Sequence, residues 1–197
     1  MTITPARDGM ESVVPRLTIE ETRSRATEAG MDAALADIHL FQVLFHSPPL
    51  ANAINSAKDG VLKETLLDPR LREFIIMRVA WLTGAEYVWD HHYKPHVEHD
   101  LNVKPEGILG VRDPANAAQF GGIELAVIAV ADDVVSSGRV SEATIERCRE
   151  FLPGNQEIVE AVATACVYNA IAGVALSLSV PIEQEYTRWE PDGVEPS

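Results

Sequence analysis

The sequence predicts an all-α fold, a compact helical bundle built around a central antiparallel helix hairpin, and three observations carry that expectation. Apolar residues recur at helical spacing along most of the chain. Start and stop signals, such as Thr18 with Glu21, Asp68-Pro69, Gly84 and Ser141, cut it into helix-length pieces. No stretch shows the period-two alternation of a half-buried strand. With 197 residues and 46 % hydrophobic content, the chain suits a single helical domain over 17–197 behind an N-terminal arm over 1–16.

Each element follows from local chemistry. The arm is polar and carries Pro5 and Pro15, as expected of a segment without its own core. Thr18 and Glu21 have capping-box spacing and predict a helix running to Ala29, with Gly30 as its stop. Asp32 to Phe45 reads as one amphipathic helix that ends before Ser47-Pro48-Pro49. Another spans Leu50 to Leu66. Asp68 at the N-cap and Pro69 at the first helical position predict a strong helix to Thr83. Its apolar residues lie nearly all round, so it belongs in the middle of the domain. Gly84 breaks it, and a second helix is predicted from Ala85 to Leu101, with a kink at Pro95 where the carbonyl of His91 loses its partner. A short turn from Lys104 to Gly110 follows, then helices over Ala115–Val135, Ser141–Phe151 and Gln156–Ser179.

Composition narrows the function classes. A formal charge of −14 and the lack of any basic patch argue against nucleic-acid or anionic-membrane surfaces, which call for clustered Lys and Arg. Cys148 and Cys166 fit neither CxxC nor a zinc knuckle. The start of the chain has no apolar signal-peptide core, so a cytoplasmic location is expected. The apolar stretch Ile158–Val180 contains Glu160 and Asn169 and reads as a buried helix of a soluble bundle.

The informative chemistry lies on the hairpin. Glu73 shares its helix face with Ile76, Met77 and Ala80, and a carboxylate there either finds a partner or is driven toward its neutral form. On the next helix, Ala85, Val88, Trp89, His92, His96 and His99 share one side. Glu73 lies eleven residues before Gly84 and His92 eight after it. At ~1.5 Å of rise per residue, their heights differ by only ~4 to 5 Å, close enough for a Glu–His pair. Such a pair holds a proton between two groups of tunable pKa, the minimum for general acid–base catalysis.

Arg72-Glu73, the run Arg78-Val79-Ala80-Trp81-Leu82-Thr83-Gly84-Ala85-Glu86-Tyr87-Val88-Trp89-Asp90-His91-His92, and downstream matches at Glu124, Asp132-Asp133, Glu160 and Tyr168-Asn169 together resemble the carboxymuconolactone decarboxylase family. The resemblance spans roughly Leu50 to Glu183. The related alkyl hydroperoxide reductase D type carries a Glu, a CxxC and a His. Laid on this chain, that pattern keeps Glu73 and His92 but places Ala85 and Val88 at the cysteine positions. Thiol peroxidation needs a thiolate and a resolving thiol, so that activity is not expected. The resemblance implies instead a cofactor-free lyase or isomerase acting on a small cyclic acid or carbonyl compound. In it, Glu73 and His92 are catalytic, and Arg78, Trp89, His96 and Tyr168 contact substrate. It also implies a homo-oligomer. Two other readings stay open: a metal-dependent enzyme using His92, His96 and His99, and a non-catalytic ligand-binding or scaffold relative.

Overall fold

Thr18 starts the first helix as its chemistry demands. Its hydroxyl accepts from the Glu21 N–H at 3.2 Å, and Glu21 returns a bond to the Thr18 N–H at 2.9 Å, closing a capping box on α1 (Ile19–Glu28). The structure, a computed structural model, describes residues 12–95 and 105–197. Most of the N-terminal arm, and the segment bearing His96 and His99, lie outside the described residues.

The stretch expected to form one helix over Asp32–Phe45 is divided. A 3-10 turn covers Ala33–Asp37, Ile38 is extended, and α2 covers His39–Leu44. Tertiary partners stabilise the break. Glu183 accepts from the His39 N–H at 2.6 Å, and the Gln42 amide donates to the Ala36 carbonyl at 2.8 Å. Both satisfy backbone groups that a continuous helix would have paired internally.

Next come α3 (Pro48–Lys63), α4 (Pro69–Thr83) and α5 (Glu86–His92). Asp68 caps α4 through the N–H groups of Arg70 and Leu71, and Gly84 ends it with φ 70, the left-handed conformation open to glycine at no steric cost. Past α5 the chain takes a π-helical turn over 93–95, the local disturbance that Pro95 requires.

The short α6 (Pro105–Leu109) leads through 3-10 turns to α7 (Gly122–Ser137). This helix starts later than the predicted Ala115. Pro114 opens a separate 3-10 turn, and Gly121 is the extended N-cap. Glu124 accepts from the Gly121 N–H at 2.9 Å and so sets the helix start there. Finally, α8 (Glu142–Phe151) and α9 (Asn155–Ser177) complete a fold with no strand among the described residues.

The core is built on α4, which packs against α5, α7 and α9. Its residues Phe74, Ile75, Ile76, Met77, Val79 and Ala80 are all buried. The 23-residue α9 is long and apolar enough to cross a membrane by length and composition, and here it packs against α3, α4, α5, α7 and α8. Beyond α9 the tail returns across the hairpin. Arg188 pairs with Glu86, Trp189 sits against Trp81 and Trp89, and Asp192 binds Arg112 at 2.8 Å.

Candidate active site

The α4–α5 hairpin positions the central pair. With Gly84 left-handed, the Ala85 N–H bonds back to the Ala80 carbonyl at 2.9 Å, and α5 folds down beside α4. Glu73 and His92 meet: His92 Nδ1 lies 2.8 Å from Glu73 Oε2. Glu73 is 0 % exposed and His92 7 %, so the contact is shielded from water and its electrostatics are strengthened. Arg72 stands 3.4 Å from the other carboxylate oxygen, and its guanidinium also donates to the Leu62 carbonyl at 2.8 Å.

His92 forms part of the wall of a cleft of about 160 Å³. Tyr87, Val88 and His91 of α5 line it as well, with Leu40 and Phe41 of α2, Lys58 of α3, and Tyr168 and Ile171 of α9. The Tyr168 ring meets His92 edge-on, with centroids 4.8 Å apart at 88°. Burial, followed by the negative charge of Glu73, holds the Tyr168 hydroxyl well above the usual tyrosine pKa, so it remains an O–H donor at any working pH.

A second network adjoins the cleft, and sequence reasoning missed it. His91 Nδ1 lies 2.8 Å from the Tyr87 carbonyl oxygen, which can only accept, so Nδ1 carries a proton. Its Nε2 lies 2.9 Å from Glu183 Oε2, a contact that needs another proton between them. Tyr87 donates to Glu183 at 3.0 Å and accepts from the Leu40 N–H at 3.1 Å. Burial works to raise the Glu183 pKa, but its bonds to His91 and to the His39 N–H prevail and hold it below the ordinary value. Both His91 nitrogens are engaged within the protein, so this network ties the tail to α5. No local signal pointed to it, because Glu183 lies in a segment without periodicity.

The other expected site residues scatter. Tyr168 faces the cleft beside His92. Arg78 does not line it: the guanidinium binds Asp132 at 2.7 Å and the Val111 and Arg112 carbonyls at 2.6 and 3.1 Å. It therefore pins α4 to α7 and to the turn before it, where a substrate carboxylate had been expected. Trp89 is likewise outside the lining; its indole donates to the Glu190 carbonyl at 2.8 Å and packs against Trp81, Trp189 and Arg112. Among the described residues no group of three metal-ligating side chains comes together; the His96 and His99 of the metal reading are not among them. Ala85 at the N-cap of α5 and Val88 within it are buried, Cys148 is buried on α8 and Cys166 exposed on α9. Neither cysteine lines the cleft.

Residues 48–133 match the Carboxymuconolactone decarboxylase family. No curated protein matches the sequence. Among solved structures, the fold resembles a cysteine-to-alanine variant of the debrominase Bmp8 in complex with 2,3,4-tribromopyrrole, with a TM-score of 0.69 and 15 % identity, covering 90 % of this chain and 95 % of that one. It also resembles an uncharacterized peroxidase-related protein from Silicibacter sp. TM1040, with a TM-score of 0.67 and 17 % identity over 92 % of this chain and 93 % of that one. A third is the alkylhydroperoxidase AhpD core protein from Ralstonia eutropha JMP134, at TM-score 0.64 and 18 % identity, covering 89 % and 94 %. Identities this low speak for the fold alone. The family match covers the hairpin that carries Glu73 and His92, and the fold over most of the chain is similar to that of AhpD-like proteins.

Proposed function

We propose that this protein is a cofactor-free lyase or isomerase that moves protons on a small cyclic acid or carbonyl compound through Glu73 and His92. The observation that carries the reading is the 2.8 Å Glu73–His92 contact in the wall of an apolar cleft. Glu73 orients the imidazole and stabilises its protonated form, while the ring's other edge exchanges a proton with the substrate. For an isomerisation, His92 removes a proton next to a carbonyl, the electron pair moves onto the carbonyl oxygen as an enolate, and the proton returns at another carbon. For a decarboxylation, the C–CO₂ bond breaks, its electron pair forms the same enolate, and His92 protonates it. The family's thiol chemistry has no counterpart at Ala85 and Val88. The chain acts as a homo-oligomer in the cytoplasm on this reading.

The test is turnover across a panel of lactones and keto acids, read by loss of carbonyl absorbance and by deuterium uptake from heavy water. Glu73→Gln and His92→Ala should each abolish conversion while far-ultraviolet circular dichroism stays that of the parent. Undiminished rates in both variants would remove the proposal. Ligand-induced thermal shifts without conversion would favour a non-catalytic binder.

A further inference from the structure

Two groups at the cleft take no part in the proton transfer proposed above. The first is the Tyr168 hydroxyl. The residue is 2 % exposed, its ring lies against His92, and its Oη has no hydrogen-bond partner among the described residues. A buried hydroxyl left idle costs on the order of 1–3 kcal/mol, and buried tyrosines normally find a partner for it. An O–H held at the cleft wall at that cost suits an acceptor that arrives with the ligand.

The second is Lys58. Its Nζ lies 3.1 Å from Asp59, but Asp59 is also bound by Lys63 at 3.0 Å, so two lysines share one carboxylate and a positive charge is left over. The two carboxylates that touch the cleft's imidazoles are each matched already: Glu73 has Arg72 at 3.4 Å, and Glu183 has His91 at 2.9 Å. Lys58 thus brings to the lining an ammonium that has only a share of one carboxylate, in a chain of formal charge −14. Its Nζ also lies 5.9 Å from the Phe41 ring centroid, which directs it along an aromatic wall.

Size sets a third constraint. A cavity of about 160 Å³ is close to the roughly 150 Å³ apolar cavity that takes up one benzene molecule. Leu40, Phe41, Val88 and Ile171 supply hydrocarbon walls of the same kind.

We propose that Tyr168 and Lys58 are the recognition points of this cleft: Lys58 Nζ selects a single-ring ligand bearing a carboxylate, and Tyr168 Oη donates to the ligand oxygen that becomes the enolate. For catalysis this rests on the proton transfer proposed above; for binding it stands alone. During that transfer the electron pair leaving the C–H or C–CO₂ bond settles on the oxygen facing Tyr168. The hydroxyl keeps its own proton and stabilises the new charge as an oxyanion donor. Its raised pKa makes it a donor that does not itself ionise.

The experiment measures dissociation constants by calorimetry for the ortho, meta and para isomers of hydroxybenzoate, with the matching methylbenzoates and hydroxybenzamides as controls. Wild-type protein should bind one hydroxybenzoate isomer at least ~10-fold more tightly than its benzamide and its methylbenzoate, the factor expected for one lost hydrogen bond or charge contact. Lys58→Met should remove the preference over the benzamide. Tyr168→Phe should remove the preference over the methylbenzoate and leave the melting temperature equal or higher, because no structural bond is lost. The proposal is overturned if no isomer shows either preference, if both variants keep the wild-type preferences, or if Tyr168→Phe lowers the melting temperature, which would reveal a structural partner for Oη. Selective binding without any turnover would leave this assignment standing and count against the proton-transfer reading.

Discussion

Asp90 makes the stability of this protein fall as pH rises, by an amount the structure allows to be worked out. The residue is 0 % exposed on α5. One carboxylate oxygen accepts from the Glu190 N–H at 3.2 Å, and the other has no hydrogen-bond partner among the described residues. Burial raises its pKa from 3.8 to about 7; the N–H groups of Glu190 and Trp189 pull it down, and the neighbouring charges of Glu86 and Glu190 push it up. Below pH 4 the group is neutral in folded and unfolded chains alike and has no effect. Between 4 and 7 the unfolded chain ionises while the folded one resists, so stability is lost at up to about 1.4 kcal/mol per pH unit. Above 7 both forms are ionised and the loss levels off. From pH 4.5 to 8 the sum is roughly 3 kcal/mol. Asp90→Asn keeps the shape and cannot ionise. The assay is urea unfolding at several pH values in this range, followed by the fluorescence of Trp81, Trp89 and Trp189. The stability of the variant relative to wild type should climb by roughly 3 kcal/mol from the acid to the alkaline end, whatever constant offset the amide introduces. Parallel profiles for the two proteins would refute the reasoning.

Arg78→Met should cost about 1–3 kcal/mol by leaving the Val111 and Arg112 carbonyls without their donor, and should leave hydroxybenzoate affinity unchanged; a tenfold loss of affinity at constant stability would return Arg78 to the substrate. Glu183 has its pKa lowered from 4.5, so the stability it contributes is present above that value and disappears as pH falls through its folded pKa. Glu183→Gln should therefore be less stable than wild type at neutral pH, by about 1–3 kcal/mol, with the gap closing toward pH 3. A gap that stays constant in urea titrations from pH 7 to 3 would mean that the carboxylate charge does not hold the tail.

The helices were legible wherever a single residue type settles a local question. Thr18, Asp68 and Ser141 supply caps whose bonds form within one turn, and Gly84 supplies a left-handed residue. The hairpin also brought Glu73 and His92 within reach by rise per residue alone, because both lie on regular helix on either side of one turn. Expectations failed where distant partners intervene. Asp32–Phe45 has the pattern of one helix, yet a carboxylate 144 residues away caps a new start at His39. Pro114 and Gly121 together delay α7 in a way that apolar periodicity does not register.

Side-chain direction was the other limit. Arg78 and Trp89 sit on the same two helices as Glu73 and His92, but which way each projects depends on what packs around the hairpin, and α7 and the tail claim both. Lys58, His91 and Glu183 carried no motif, since Lys58 and His91 reach the cleft from α3 and α5 and Glu183 joins His91 from a tail without periodicity. The sequence by itself determined the helical fold, the superfamily likeness, the missing thiols and the Glu73–His92 pairing, because each rests on contacts close in the chain or across one tight turn. Only the tertiary structure decided what lines the cleft, because that depends on α2, α3, α5 and α9, segments far apart in the chain, meeting at one place, which no local pattern encodes.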